Sequence, residues 1–177
     1  VTVVILVLLV IDALGSIKIA QEYERGVVFR LGRYNSTRGP GLFWIWFPFE
    51  WERRIDTRTT TVNVESQETI TKDSVTIKVN AVLWYRIVDP ARAVIGVVDY
   101  ASAVYQVALT SLRNIIGQHV LDEVLKERER INETLRKIVD EATGPWGLKV
   151  EMVEMKDLEL PPGMQRAMAR EAEAVRE

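Results

Sequence analysis

The order of patterns along the chain predicts an α+β fold. Three observations lead there. Residues 58–88 form two alternating runs joined by Lys72-Asp73-Ser74, the mark of a long antiparallel hairpin with one buried face. From Asp89 to residue 142 the apolar spacing becomes helical. Residues 148–160 return to a strand pattern. Strands, then helices, then a final strand fit one α+β domain better than alternating βαβ units.

Composition narrows the function classes. Apolar residues are 47% and charged residues 27% of the 177, enough for a packed core and unlike a disordered tail. The formal net charge of −2 argues against a dedicated nucleic-acid binder. With no cysteine there is no disulfide framework, thiolate zinc site or cysteine nucleophile. The one histidine, His119, leaves no His-rich metal site.

The elements follow in chain order. Residues 1–11, VTVVILVLLVI, are apolar but for Thr2, and no charge falls before Asp12. A helix of that length spans about 16 Å, roughly half a bilayer's hydrocarbon core. Two readings stand: a buried strand or core helix, and the C-terminal part of a membrane-spanning or re-entrant anchor. The second needs residues upstream of Val1, which the absence of an initial Met leads us to expect. A signal peptide is a poorer fit, because no small-residue cleavage site precedes a mature start. Residues 17–34 alternate as a hairpin, with Gly26 and Gly32 as turn or bulge positions, and Arg38-Gly39-Pro40-Gly41 makes a turn.

The segment GLFWIWFPFEW follows. Six of the chain's 14 aromatic residues lie between Phe43 and Trp51. A strand packing its aromatics into the core is one reading. Yet both faces are large and apolar, with Phe43, Ile45, Phe47 and Phe49 on one and Trp44 and Trp46 on the other, and Pro48 disfavours a central strand. Tryptophan prefers the bilayer interface, where its ring is apolar and its N–H finds a wet partner. The other reading is therefore a loop dipping into lipid, with Glu50, Glu52, Arg53 and Arg54 returning the chain to water.

In the hairpin, Val75, Ile77, Val79, Ala81, Leu83, Tyr85 and Ile87 share the buried face. Asp89-Pro90 starts a helix, with Asp89 as cap. Asp99 opens a second helix, stopped by Gly117. Residues 121–142 form a third, ended by Gly144-Pro145, and Leu148, Val150 and Met152 share one face of the last strand. Pro161-Pro162 begins an Ala-rich helix with Met164, Met168, Ala172 and Val175 on one face. It reads as the opening of a longer amphipathic helix or coiled coil, or as a terminal helix packed on its own domain.

No catalytic or cofactor motif emerges. Gly39-Pro40-Gly41 is too short for a phosphate loop and opens no helix, and there is no GxSxG. His119, just after a helix stop, reads as a surface or capping residue. Glu127, Glu129 and Glu133 interleave with Arg128, Arg130 and Arg136, as on a solvated helix face.

Several stretches, in order, carry a resemblance: QEYERGVVFRLGRY, GPGL, SQETITKDSVTIKVNAVLWYRIVDP, TSLRNIIGQHVLDEVLKERERI, WGLKVEMVEMKDLELP and MQRAMAREAEA. Over residues 19–177 the chain resembles the stomatin branch of the SPFH (band 7, prohibitin-homology) superfamily, most closely the prokaryotic slipins. The resemblance implies an N-terminal membrane segment, an SPFH α+β domain and a long C-terminal coiled-coil helix. On this chain those would be residues 1–14, 15–160 and 161–177. It implies a ring- or cage-forming homo-oligomer that organises membrane microdomains, with no enzymatic activity and no cofactor. A second implied role is a regulatory subunit of a membrane protease or an NfeD-type membrane partner. Two departures stand out. The segment around Trp44 and Trp46 is more aromatic than is usual in the family, and the cysteine that carries lipid in some animal members is absent, which removes palmitoylation.

The expected contacts are therefore membrane lipid and further copies of the chain. Lipid contact is expected from Val3, Val4, Ile5, Leu6, Val7, Leu8, Leu9, Val10 and Ile11, and from Phe43, Trp44, Trp46, Phe47 and Phe49. Between Ile17 and Arg38 five basic residues face two acids, which suits anionic headgroups at about 1 kcal/mol per basic residue. The alternative is ordinary solvent-facing strand charge. Glu127, Arg128, Glu129 and Arg130 are the expected oligomer interface. The expected location is the cell membrane, anchored N-terminally.

Overall fold

The computed structural model describes residues 1–176 and has the expected α+β composition. The chain folds as two compact units. The first comprises Val1–Thr59, Arg86–Tyr100 and Pro145–Lys149. The second comprises Thr60–Tyr85, Ala101–Gly144 and Val150–Glu177.

The first unit opens with helix α1 (Thr2–Ser16). Strand β1 (Ile17–Ala20) pairs antiparallel with β4 (Gly41–Trp44), Ile17 opposite Trp44 and Ile19 opposite Leu42. A three-stranded sheet has β2 (Glu24–Arg30) at its centre, flanked by β3 (Arg33–Arg38) and β5 (Glu50–Asp56). The expected hairpin over 17–34 is thus displaced. It consists of β2 and β3, turning at Leu31 and Gly32 with φ of 48° and 82°, as a two-residue hairpin turn requires. Gly26 is no turn residue but lies mid-strand. A Cβ there would stand 3.0 Å from Phe43 Cζ, so the glycine makes room for that ring. Val27, Val28, Ile45 and Ile55 are buried in this unit.

Helix α2 (Pro90–Ile95) lies against β2 and β3. As the sequence predicts, Asp89 caps it, one carboxylate oxygen accepting the Arg92 N–H at 3.3 Å. Asp89→Ala is expected to cost about 1 kcal/mol and Asp89→Asn about a few tenths. Urea midpoints at unchanged slope measure both. Gly147 adopts φ +71°, and its carbonyl accepts the N–H groups of Val88 and Asp89 at 2.8 and 3.0 Å.

The second unit is built on the sheet β6-β7-β8, with β6 (Thr60–Ile70), β7 (Thr76–Ile87) and β8 (Leu148–Glu159). Odd-numbered residues of β7 from Ile77 to Ile87 are buried, as their alternation predicts. On β8 the buried face slips between Val150 and Val153, which leaves Met152 48% exposed rather than in line with Leu148 and Val150.

Helix α3 (Tyr100–Gln118) runs through Gly117 instead of stopping there; it ends after Gln118, where His119 Nδ1 bonds the Ile115 carbonyl at 2.8 Å. The β6–β7 turn meets this end. The Lys72 N–H donates to the His119 carbonyl at 2.9 Å, and Asp73 accepts the Leu121 N–H at 3.3 Å. The expected single helix over 121–142 is two, α4 (Leu121–Lys126) and α5 (Arg128–Thr143), interrupted at Glu127 with φ −109° and ψ 37°. No glycine or proline marks that break. The residues after it are engaged elsewhere: Arg128 Nη2 donates to the Met155 and Lys156 carbonyls at 2.6 and 2.7 Å. Asn132 and Asp140 accept the N–H groups of Met155 and Val150 at 3.1 and 3.0 Å. One stripe of α5 thus satisfies backbone groups of β8 that would otherwise form an open strand edge. Helix α6 (Pro162–Ala174) has no buried residue.

Candidate functional site

The register of β1 against β4 brings together two apolar segments far apart in sequence. Because Ile17 faces Trp44, the end of α1 and the start of the aromatic loop leave the ribbon at the same end. The Ile45 N–H donates to the Ser16 carbonyl at 2.9 Å, closing that end.

Residues Val3 to Ile11 form one continuous helical surface, 49–74% exposed, which rules out the buried-strand and core-helix readings. Yet α1 has 15 residues, about 22 Å of rise against a hydrocarbon core of about 30 Å. Among the described residues no helix is long and apolar enough to cross a membrane, so α1 does not span one by itself. An apolar groove of about 640 Å³ runs along α1, lined chiefly by Ile5, Leu8, Leu9 and Phe47 with Asp12 and Lys18 at its polar part.

The ribbon adds three residues that sequence reasoning missed: Ile17, Ile19 and Leu42 share one face with the expected Trp44, and all four are exposed. In the loop, Trp46, Phe47 and Phe49 are 56–64% exposed, whereas Ile45 is buried and Phe43 is half-buried against Gly26. So many exposed large apolar residues in α1, the ribbon and the loop differ from the single scattered ones of an ordinary surface.

Glu50 does not return the chain to water; it is 3% exposed. Its Oε1 accepts Arg30 Nε at 2.7 Å and Asn35 Nδ2 at 3.2 Å, and its Oε2 accepts the Trp46 N–H at 2.9 Å. The Trp46 backbone donor, ahead of Arg30, holds the carboxyl below the usual glutamate range although burial pushes the other way. What the ionised group contributes is therefore fully present above the ordinary glutamate range. It is lost only as pH falls through the lowered folded-state pKa.

Glu127 and Arg130 form an exposed ion pair at 2.7 Å, and Glu129 is exposed. Arg128 is half-buried and bound to β8. Among the basic residues of 17–38, Arg30 engages Glu50, and Arg25 Nη1 donates to the Glu22 and Glu24 carbonyls at 2.8 Å. Among the described residues no cluster of His, Cys, Asp or Glu is arranged to hold a metal ion.

A ribbon and three-stranded sheet in one unit, and a second three-stranded sheet with its helices in the other, make this an α+β protein. The chain belongs to the SPFH domain / Band 7 family, whose model matches residues 18–177. It is similar to a stomatin homologue of Pyrococcus abyssi, 54% identical over 177 residues, which are all of this chain and 66% of that protein. It is 56% identical over 173 residues to an uncharacterised protein of Archaeoglobus fulgidus, 98% of this chain and 70% of the other. It is 47% identical over 169 residues to Mechanosensory protein 2 of Caenorhabditis elegans, 94% of this chain but 35% of that one. The chain thus spans about two thirds of its archaeal relatives and about a third of the nematode protein.

Proposed function

We propose that the protein is a membrane-anchored, homo-oligomeric scaffold that organises a patch of membrane around itself. The observation that carries this reading is the shared exit of α1 and the aromatic loop from one end of the β1–β4 ribbon. Helix, ribbon face and loop together offer lipid a surface of exposed Val, Ile, Leu, Phe and Trp. Tryptophan at its margin suits the bilayer interface. The helix then lies in or dips into the bilayer as part of an anchor, with the domain held at the membrane of the cell.

Copies meet side by side through mixed charge at the start of α5 and continue through α6, the opening of a coiled coil. Heterologous contacts that close generate rings. Glu127, Glu129 and Arg130 carry the contact, while Arg128 supports it by fixing the α5 start to β8. Each exposed pair contributes under about 1 kcal/mol, but a ring repeats it at every interface. Light scattering on the detergent-extracted protein tests this. Reversing the charges of Glu127, Glu129 and Arg130 together is expected to shift the assembly toward smaller species. Unchanged assembly removes these residues from the interface, and a monomeric wild type removes the scaffold.

A further inference from the structure

Among the described residues Glu50 is the one charged residue that is buried, and it adjoins the most exposed aromatics of the first unit in sequence. It closes the 46–50 loop in two ways. Its side chain accepts the Trp46 N–H, and its own N–H donates to the Trp46 carbonyl at 2.7 Å. The same carboxylate is fastened to β2 through Arg30 and to β3 through Asn35. The Leu31 N–H also donates to the Phe49 carbonyl at 3.0 Å. The backbone between Trp46 and Phe49 is thus tied to the β2–β3 hairpin while its side chains point to the surface.

A buried carboxylate is a costly way to hold a loop, and an apolar side chain could fill the space. It could not accept three different donors, one from a backbone N–H that would otherwise be orphaned. Groups ordered before contact lose less entropy on contact than groups ordered by it. We propose that Glu50 is a positioning residue for lipid contact, closing the loop onto β2 and β3 so that Trp46, Phe47 and Phe49 meet lipid as a pre-formed wedge. The proposal rests on the lipid reading of that loop. The lowered pKa of Glu50 accords with it, since the Trp46 N–H and Arg30 that hold the loop favour the ionised carboxylate.

The test uses the full chain reconstituted in vesicles of phosphatidylcholine and phosphatidylglycerol with brominated acyl chains. Quenching of tryptophan fluorescence is read for the wild type, Trp46→Phe, Glu50→Ala and Glu50→Gln, and the quenching lost in Trp46→Phe is the share of Trp46. Hydrogen exchange over residues 45–50 and a thermal melt accompany it. Glu50→Ala is expected to speed exchange of the loop by roughly tenfold or more, without speeding exchange in β6–β8, and to lose most of the Trp46 quenching. Glu50→Gln keeps an acceptor for the Trp46 N–H and is expected to recover part of both. Wild-type quenching in Glu50→Ala overturns the proposal, whether or not the loop exchanges faster. If Trp46→Phe is quenched as fully as wild type, the lipid reading fails and the proposal falls with it. The exchange data then still show separately whether Glu50 closes the loop. Should Glu50→Ala not fold, Asn35→Ala replaces it: a smaller loss in the same direction supports the latch, and none overturns it.

Discussion

Deleting residues 1–14 is expected to move most of the protein from the membrane pellet to the supernatant after a carbonate wash. Residues 3–11 of α1 are nine large aliphatic side chains with almost no cover from the rest of the chain. Complete burial of one such side chain contributes about 1.5–3 kcal/mol. Even at half the lower figure, the nine together contribute roughly 7 kcal/mol, against roughly 5 kcal/mol for the exposed apolar residues of ribbon and loop on the same footing. The truncated chain keeps Ile17, Ile19, Leu42, Trp44 and the loop, so weaker residual binding is expected. A truncated protein that stays fully in the pellet shows that α1 is not the main anchor.

Gly147→Ala is expected to be the most damaging small substitution in the first unit. A Cβ at that position would stand 2.3 Å from the Asp89 carbonyl oxygen and 2.8 Å from Asp89 Cβ. Neither is the far end of a flexible side chain. The backbone also sits at φ +71°, which alone costs an L-residue about 1 kcal/mol. Relief would require breaking the bonds from Val88 and Asp89 to the Gly147 carbonyl and disturbing the α2 cap. A loss of at least about 3 kcal/mol is expected, read as a fall in the urea midpoint or as failure to accumulate folded protein. A loss under about 1 kcal/mol would mean that the 147–148 segment shifts away from Asp89 at little cost.

What was legible in the sequence follows from how locally each feature is encoded. The β7 face from Ile77 to Ile87 and the Asp89-Pro90 helix start are set by neighbouring residues, and both stand in the structure. The aromatic segment was legible as unusual because both its faces are large. Pairing was less legible. The letters of 17–34 suit a hairpin, but β1 joins β4, since outward and inward residues of a short strand look alike before a partner is known. For that reason Ile17, Ile19 and Leu42 went unnoticed as surface residues. Glu50 reads like its neighbours Glu52, Arg53 and Arg54; only its distant partners Arg30, Asn35 and Trp46 set it apart. Arg128 likewise looks like one charge in a solvated row until β8, more than 25 residues on, supplies carbonyls for it.

The β1–β4 ribbon constrains how this chain can vary in length. The spacing between α1 and the aromatic loop is set by four residue pairs, whatever lies between Gln21 and Pro40. Residues inserted at the Leu31-Gly32 turn would lengthen the β2–β3 hairpin and leave helix and loop side by side. A single residue inserted within β1 would act differently. Side chains alternate along a strand, so Ile17 or Ile19 would rotate to the opposite face and Lys18 would take the outward place. Descendants of this chain can therefore gain or lose length at the hairpin tip, while β1 and β4 are held to their present lengths.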